Sequence, residues 1–432
     1  MELLHGPLRE LAEYEEMQKI LNAQGKSIAV YGCAESQKLH LISVLGKDYD
    51  VRLIVTHGAI RAQEIAADYA LYDKNVFYFP SKDLIFYQAD LCGNQVTTRR
   101  MKVIREILEG KRITLVITAD ALLAPMLPLE EYRSHILQLQ KGAIAEEGAL
   151  RIRLTTLGYE CVAKVEEPGQ FSIRGGIIDV FDLTQENPVR IELWGDEVDS
   201  IRSFDVQSQR SIEKLRNISI YPATELLLDS DRLATGLKLI EKDTKKNCET
   251  LRKRFETEAA HRLQRTFDEL KEEIEEFAIR PNLDSYFRYF YPEAPDFTTL
   301  FAGRQMAVFV DEPGKTDMHM NAVEKEFRES MMHRSEKGYV LPGQMRLLVR
   351  AEEVYARLKS FPCAYLSILD HGKLEVSTQQ SFHLNVHSVS PYNGSVTELM
   401  RDLKRFKKEG YRVLVVSGSR TRAKRLAEDI TQ

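Results

Sequence analysis

SIAVYGCAESQKL (27–39) decides how the first part of the chain folds. Ser27 to Tyr31 is a short β-prone run, Gly32 interrupts it, and a helical pattern begins within a few residues. Beyond this stretch the same unit recurs. VRLIVTH (51–57), NVFYFP (75–80) and ITLVIT (113–118) alternate with helical stretches at 61–71 and 98–109. Strands that are apolar almost throughout, separated by helices, predict a parallel α/β sheet covered on both faces. Ahead of them, Leu8, Leu11, Met17, Ile20 and Leu21 recur at helical spacing and predict a helix after Pro7. MAVFVDEP (306–313) reads as a further strand of this kind, ending in two acids. YRVLVVSG (411–418) reads as a last one, leading into a helix and stopping without a capping signal, as a truncated unit would.

The chain has 432 residues, enough for about three domains. Its formal net charge is -5, from 60 basic and 65 acidic residues. That balance argues against a dedicated nucleic-acid binder, so contact with DNA would have to come from local patches. No apolar run approaches a membrane span, and the acidic start (MELLHGPLRELAEYEEM) is unlike a signal peptide. The five cysteines, Cys33, Cys92, Cys161, Cys248 and Cys363, are scattered with no CxxC spacing, as in reduced cytosolic proteins. A cytoplasmic chain is expected. No metal site is expected either: His383 and His387 in HLNVH share a strand face but have no acidic partner close in sequence. The basic clusters Arg99-Arg100-Lys102 and Lys404-Arg405-Lys407-Lys408 read as solvated helix faces.

A phosphate-binding loop needs G-x-x-x-x-G-K-[ST] after a strand. Its glycines let backbone N–H groups cradle phosphate, its lysine holds the outer phosphates, and its hydroxyl binds magnesium. Here Gly32 and Lys38 stand in place, but Gln37 replaces the second glycine and Leu39 the hydroxyl. Glu35 adds a carboxylate where polyphosphate would lie. Asp311-Glu312 resemble the strand end that holds magnesium in a live site. A working ATPase would need other residues to take over from Gln37 and Leu39, whereas a relic fold kept as scaffold accounts for every departure. No catalytic residue is assigned.

From Gly158 the apolar period changes from 3.6 to two. YECVAKVE, GQFSIRGGIIDVFD, VRIELWGDEVDSIRSFD and LRNISIYPA read as consecutive, mainly antiparallel strands joined at Pro168-Gly169, Gly175-Gly176, Asn187-Pro188 and Gly195-Asp196. Along 189–194 the side chains alternate: Ile191 and Leu193 turn one way, Arg190, Glu192 and Trp194 the other. Trp194, the only tryptophan, fits either a half-buried core position, with Arg174 and Arg190 in ordinary surface salt bridges, or an interface anchor beside Arg190. Arg174 precedes two glycines that let the chain bend towards the same surface. Residues 232–278, rich in Lys, Arg and Glu with leucines between, predict long exposed helices.

EPGQFSIRGGIIDVFDLTQENPVRIELWGDEVDSIRSFDVQSQRSIEKL (167–215) resembles the strand module shared by UvrB and the transcription-repair coupling factors of the Mfd family. FYFPSKDLIFYQ…RR…REIL is similar to the second group. An intact phosphate loop and a tyrosine-rich hairpin after Phe79-Pro80, where only Phe86 and Tyr87 stand here, would mark UvrB itself. The resemblance implies the N-terminal part of a coupling factor that recruits UvrA, with Arg174, Arg190 and Trp194 as the UvrA-contacting residues. It also implies a full-length ATP-dependent translocase acting on RNA polymerase and double-stranded DNA, with ATP and magnesium confined to motor domains beyond residue 432. No cofactor is then expected in this chain, and a UvrB-type DNA-dependent ATPase is the alternative. The expected architecture is a RecA-like parallel sheet with a degenerate nucleotide loop, an inserted antiparallel α+β domain and a helical domain. Its divisions are 1–124, 125–212, 213–345 (helices and return to the α/β domain) and 346–432.

Overall fold

The computed structural model describes residues 2–23, 26–82, 95–276, 283–293, 296–370, 378–389, 391–415, 417 and 419–431. The segment holding Phe86, Tyr87 and Cys92, where a UvrB hairpin would stand, lies outside the described residues.

In chain order the strands are β1 (Ser27–Tyr31), β2 (Val51–Thr56), β3 (Val76–Phe79) and β4 (Ile113–Thr118). Then come β5 (Leu137–Gln140), β6 (Glu160–Cys161), β7 (Gln170–Arg174) and β8 (Ile177–Val180). They are followed by β9 (Val189–Trp194), β10 (Glu197–Phe204), β11 (Ser211–Leu215) and β12 (Asn217–Ile220). The last three are β13 (Met306–Asp311), β14 (Cys363–Leu366) and β15 (Gln380–His383).

Seven of them form one parallel sheet in the order β15-β1-β14-β13-β2-β4-β3. The strands β2, β4, β13 and β14 are buried along their whole length, as helices on both faces require. One face packs on the helices Tyr14–Leu21, Glu35–Leu45 and Ala59–Tyr69 through Met17, Leu41, Ile42 and Ile65. The other carries the helix Gln95–Leu108 and most of the chain beyond residue 220. β1 and β2 are consecutive in sequence yet not neighbours, because β14 and β13 fill the gap between them. The sheet therefore closes only when the chain returns from its excursion between β4 and β13.

Within that excursion β6 to β11 form a second sheet, ordered β11-β10-β9-β8-β7-β6, and β12 pairs with β5. The pairings are antiparallel apart from β6 with β7, which is parallel. Leu137, Leu154, Phe171, Ile178, Ile191, Val198, Ile201 and Ile220 make its separate core. The β7–β8 hairpin turns on Gly175 and Gly176, with φ of 56° and 81°; a two-residue loop needs left-handed backbone at both positions, which glycine supplies without steric cost. The charged stretch after 230 is a helical hairpin, Ser230–Lys253 and Thr257–Glu276. It buries Ile240, Cys248 and Leu251 from one arm and Ala260, Leu263 and Phe267 from the other in the core it shares with the parallel sheet.

Four local expectations need correction. The first helix, Glu2–Arg9, runs through Pro7 instead of starting after it; burial of His5 and Leu8 on one face offsets the missing proline hydrogen bond. Of YECVAKVE only Glu160–Cys161 is strand. Residues 411–415 form no strand, since no described strand edge meets them, and Tyr411, Val413 and Leu414 are exposed. Arg100 is not on a solvated face: it is 1 % exposed and bonded to Glu225. No helix among the described residues is long and apolar enough to cross a membrane.

Candidate functional site

The second sheet has one apolar face and one polar face, and register assigns each residue. Ile173, Ile178, Ile191 and Ile201 lie in one cross-strand row on the core side. On the opposite side Ser172, Asp179, Arg190 and Arg202 form one row, and Arg174, Ile177, Glu192 and Ser200 the next. The expectation that Arg190 and Trp194 share the outward face is met.

Asp179, 1 % exposed, is the hub of this face. Arg190 grips it with both ends of its fork, Nε to Oδ1 at 2.7 Å and Nη2 to Oδ2 at 2.8 Å. Arg174 donates from Nη2 to Oδ2 at 3.3 Å, so the bend at Gly175-Gly176 does bring the two guanidiniums together. Arg190 also donates to Gln209 Oε1 at 3.0 Å and stacks over the Phe204 ring at 4.5 Å. A bidentate guanidinium held on three sides has lost most of its rotamer freedom before any partner arrives, which lowers the ordering cost of binding. Arg174 is the freer of the pair, with 54 % of its side chain exposed against 17 % for Arg190.

Trp194 ends β9 beside the Gly195-Asp196 turn, opposite Glu197, and is 85 % exposed. The half-buried core alternative is thereby excluded. A large rigid aromatic left in water contributes nothing to this fold, so its apolar area is available to a partner. Sequence reasoning missed Asp179, Gln209 and Phe204. Asp179 was in principle findable: it sits on a strand of period two with its side chain on the polar face, yet it is too apolar-flanked to stay solvated (Ile177, Ile178, Val180, Phe181). Replacing it with alanine strands two guanidiniums, one of them largely buried. We expect Asp179→Ala to lower unfolding free energy by about 3 kcal/mol, read by urea denaturation, and a loss below about 1 kcal/mol would sink the hub assignment.

The loop after β1 is occupied by the protein itself. Lys38 is 1 % exposed, and its ammonium donates to Asp311 Oδ1 at 2.8 Å and Glu312 Oε1 at 2.5 Å. Asp311 also accepts from Thr56 Oγ1 at 3.0 Å and Arg61 Nε at 3.3 Å, while Glu312 accepts from the Ile368 backbone N–H at 2.9 Å. Glu35 is taken by Arg61. Burial works against the Lys38 ammonium, but Asp311 and Glu312 outweigh it and raise its pKa. Burial likewise opposes the Asp311 carboxylate, and Lys38, Arg61 and Thr56 together pull it below its ordinary value. Burial pushes the Cys33 thiol up to about 12, which leaves it inert. Leu39 is buried, and Gly32 (φ 75°) lies against the Leu384 backbone, whose oxygen would sit 2.0 Å from any added Cβ. Gly32 follows β1, Gln37, Lys38 and Leu39 lie in the helix Glu35–Leu45, and Asp311-Glu312 at the end of β13 bond to Lys38. No group of three or more potential metal ligands occurs among the described residues, and His383 has Asp370 at 3.8 Å, an acid not apparent from the local sequence.

Residues 137–226, which hold the second sheet, match the family model described as the UvrB interaction domain. The relatives narrow this further. Over 423 residues, 96 % of the chain, it is 28 % identical to the transcription-repair-coupling factor of Bacillus subtilis (strain 168). It is 24 % identical over 416 residues to that of Staphylococcus epidermidis (strain ATCC 12228 / FDA PCI 1200) and 20 % over 429 residues to that of Staphylococcus aureus (strain NCTC 8325 / PS 47). The chain spans about a third (35–36 %) of the length of these relatives. Nearly the whole chain is similar to part of the transcription-repair coupling factors, and the resemblance read from 167–215 is borne out.

Proposed function

We propose that this chain recruits UvrA to sites of blocked transcription as the UvrB-like part of a transcription-repair coupling factor. The observation that carries the reading is the polar face of the second sheet, where Arg174 and Arg190 converge on buried Asp179 beside an exposed Trp194. Arginine and tryptophan dominate interface hot spots, and here one arginine is already oriented and the indole is free. The parallel sheet is read as a RecA-like scaffold that has given up nucleotide, with the antiparallel unit, near 125–212, inserted into it and helical and α/β segments following at 213–345 and 346–432. In that scaffold Lys38 holds Asp311 and Glu312 in place of phosphate and magnesium. The full-length protein would then be an ATP-dependent translocase that meets RNA polymerase and double-stranded DNA through parts outside this chain, and this part would hydrolyse no ATP and need no cofactor. A UvrB-type ATPase is disfavoured by the Lys38 cluster and by Gly32 lying against Leu384.

Surface-immobilised UvrA titrated with the chain tests the proposal. Arg174→Ala, Arg190→Ala and Trp194→Ala are each expected to cost about 2 kcal/mol or more, roughly a thirtyfold loss of affinity. Trp194→Ala should do so with no change in melting temperature, because the indole supports nothing in the fold. Wild-type affinity in all three variants would overturn the recruitment reading, and magnesium-dependent ATP hydrolysis by the purified chain would overturn the scaffold reading.

A further inference from the structure

A cleft of about 810 Å³ opens between the first arm of the helical hairpin (Ser230–Lys253), the helix Pro313–Glu336 and the turn around Gln344–Arg346. It lies away from both the Asp179 face and the Lys38 loop and shares no residue with either. Six cations line it, Lys242, Lys246, Arg288, Arg328, Arg346 and Arg350, against three acids, Asp243, Glu324 and Glu353. In a chain of net charge -5 that local excess of positive charge runs against the average.

Two of the three acids are already engaged. Asp243 accepts from the Tyr289 hydroxyl, and Glu324 accepts from Arg328 at 2.6 Å and from the Ala351 backbone N–H at 3.0 Å. Arg288 donates from Nε to the Arg346 carbonyl at 3.1 Å, and Arg350 pairs with Glu352 at 3.2 Å. Lys242, Lys246 and Arg346, in contrast, meet no carboxylate among the described residues within ion-pairing distance. Lys242 and Lys246 are four apart, so they project from one face of their helix towards the cleft, like-charged neighbours that disfavour each other until an anion is present. On the next face Lys245 finds Glu241 at 2.7 Å, which is what an ordinary solvated lysine of this helix does.

Between the cations the lining is apolar: Leu239, Phe327, Met345, Leu348 and Val349. The volume falls in the range of about 300–1,000 Å³ typical of small-molecule sites. A polyvalent anion satisfies the unpaired cations, and an apolar or aromatic body satisfies the floor; inorganic phosphate alone would leave the floor wet.

We propose that this cleft binds an organic polyphosphate of nucleotide size, its phosphates held by Lys242, Lys246 and Arg346 and its apolar body laid on Leu239, Phe327 and Met345. The site is separate from the closed loop after β1 and needs no magnesium, because lysine and guanidinium groups supply the countercharge.

The test is fluorescence anisotropy of N-methylanthraniloyl-ADP titrated with the whole chain in chelator, with ADP and pyrophosphate as competitors. Saturable binding is expected, with ADP competing at a concentration at least tenfold below that of pyrophosphate. The Lys242→Glu/Lys246→Glu double variant should weaken binding at least tenfold and Arg346→Ala several-fold, all folded by circular dichroism because these positions are exposed. Lys315→Glu, a charge change in a separate cavity lined by Glu35, Arg61 and Asp311, should leave affinity unchanged. The proposal is overturned by an absence of saturable binding up to millimolar probe. Pyrophosphate competing as well as ADP, or loss of binding in Lys315→Glu with none in the double variant, would overturn it equally.

Discussion

Lys38→Ala is expected to lower the unfolding free energy by about 3–5 kcal/mol, the scale seen when one member of a buried ion cluster is removed. The alanine leaves Asp311 and Glu312, both buried at the end of β13, without the ammonium that neutralises them. Arg61 and Thr56 still bond to Asp311, which sets the lower end of the range. Asp311, no longer held down by Lys38, should then take up a proton nearer neutral pH. The pH dependence is fixed by the two shifts. Lys38 has a raised pKa, so its contribution is complete below the ordinary lysine value and is lost as pH rises above it. Asp311 has a lowered pKa, so its contribution is complete above the ordinary aspartate value and is lost as acid protonates it. The cluster therefore stabilises across the neutral range and fails at both extremes. A nucleotide site predicts otherwise: in a working loop the lysine waits for phosphate, and its removal abolishes binding with little effect on stability. Guanidinium denaturation of Lys38→Ala decides the matter, and a loss under about 1 kcal/mol would sink the account of a self-occupied loop.

The second large effect belongs to Glu225, where the chain returns from the second sheet to the parallel one. Its carboxylate accepts from Arg100 Nε and Nη2, each at 2.8 Å, and pairs with Lys82 at 3.2 Å. Arg100 also donates to the Pro80 carbonyl at 2.7 Å and stacks on Phe79 at 4.0 Å. Burial would raise the Glu225 pKa, but Arg100 and Lys82 override it and lower it to about 2. Against the ordinary glutamate value this corresponds to about 3 kcal/mol, present above pH 4.5 and lost as pH falls towards 2. Glu225→Ala is expected to cost about 3–5 kcal/mol at pH 7, because it strands a fully buried guanidinium. It should also flatten the acid limb of the stability curve. An unchanged acid limb in Glu225→Ala would rule this pair out as its cause. The pair ties the helix Gln95–Leu108 to the segment after β12, so its loss should also loosen the junction that orients the polar face of the second sheet.

Both clusters join residues far apart in sequence, and the Asp179 hub joins residues of adjacent paired strands; that divides the features legible in the sequence from those that were not. The alternation of apolar strands and helices made the parallel sheet legible, because strands buried on both faces must be apolar throughout. The change to period two after Gly158 made the antiparallel sheet legible, and alternation along 189–194 put Arg190 and Trp194 on one face. The departures of Gln37 and Leu39 from a phosphate-loop pattern were likewise visible, since the chemistry of phosphate binding needs specific residues at fixed spacing. Three things were not visible. Register between strands is set by the packing of whole faces, so nothing local showed that Asp179 lies across from Arg190. Strand order is set by where the chain can return, so β13 and β14 could not be placed between β1 and β2, and the direct bonds from Lys38 to Asp311 and Glu312 could not be foreseen. Burial of a charge depends on partners contributed from elsewhere, which is why Arg100 looked like one more surface cation until Glu225 was beside it. The sequence alone determined most of the strand and helix segments, apart from 162–166, 411–415 and the start of the first helix, and which residues of a phosphate-loop pattern are replaced. Only the tertiary structure decided that Lys38 is buried against two carboxylates, and that Trp194 faces water at the end of the strand face where two arginines are drawn together on one buried acid.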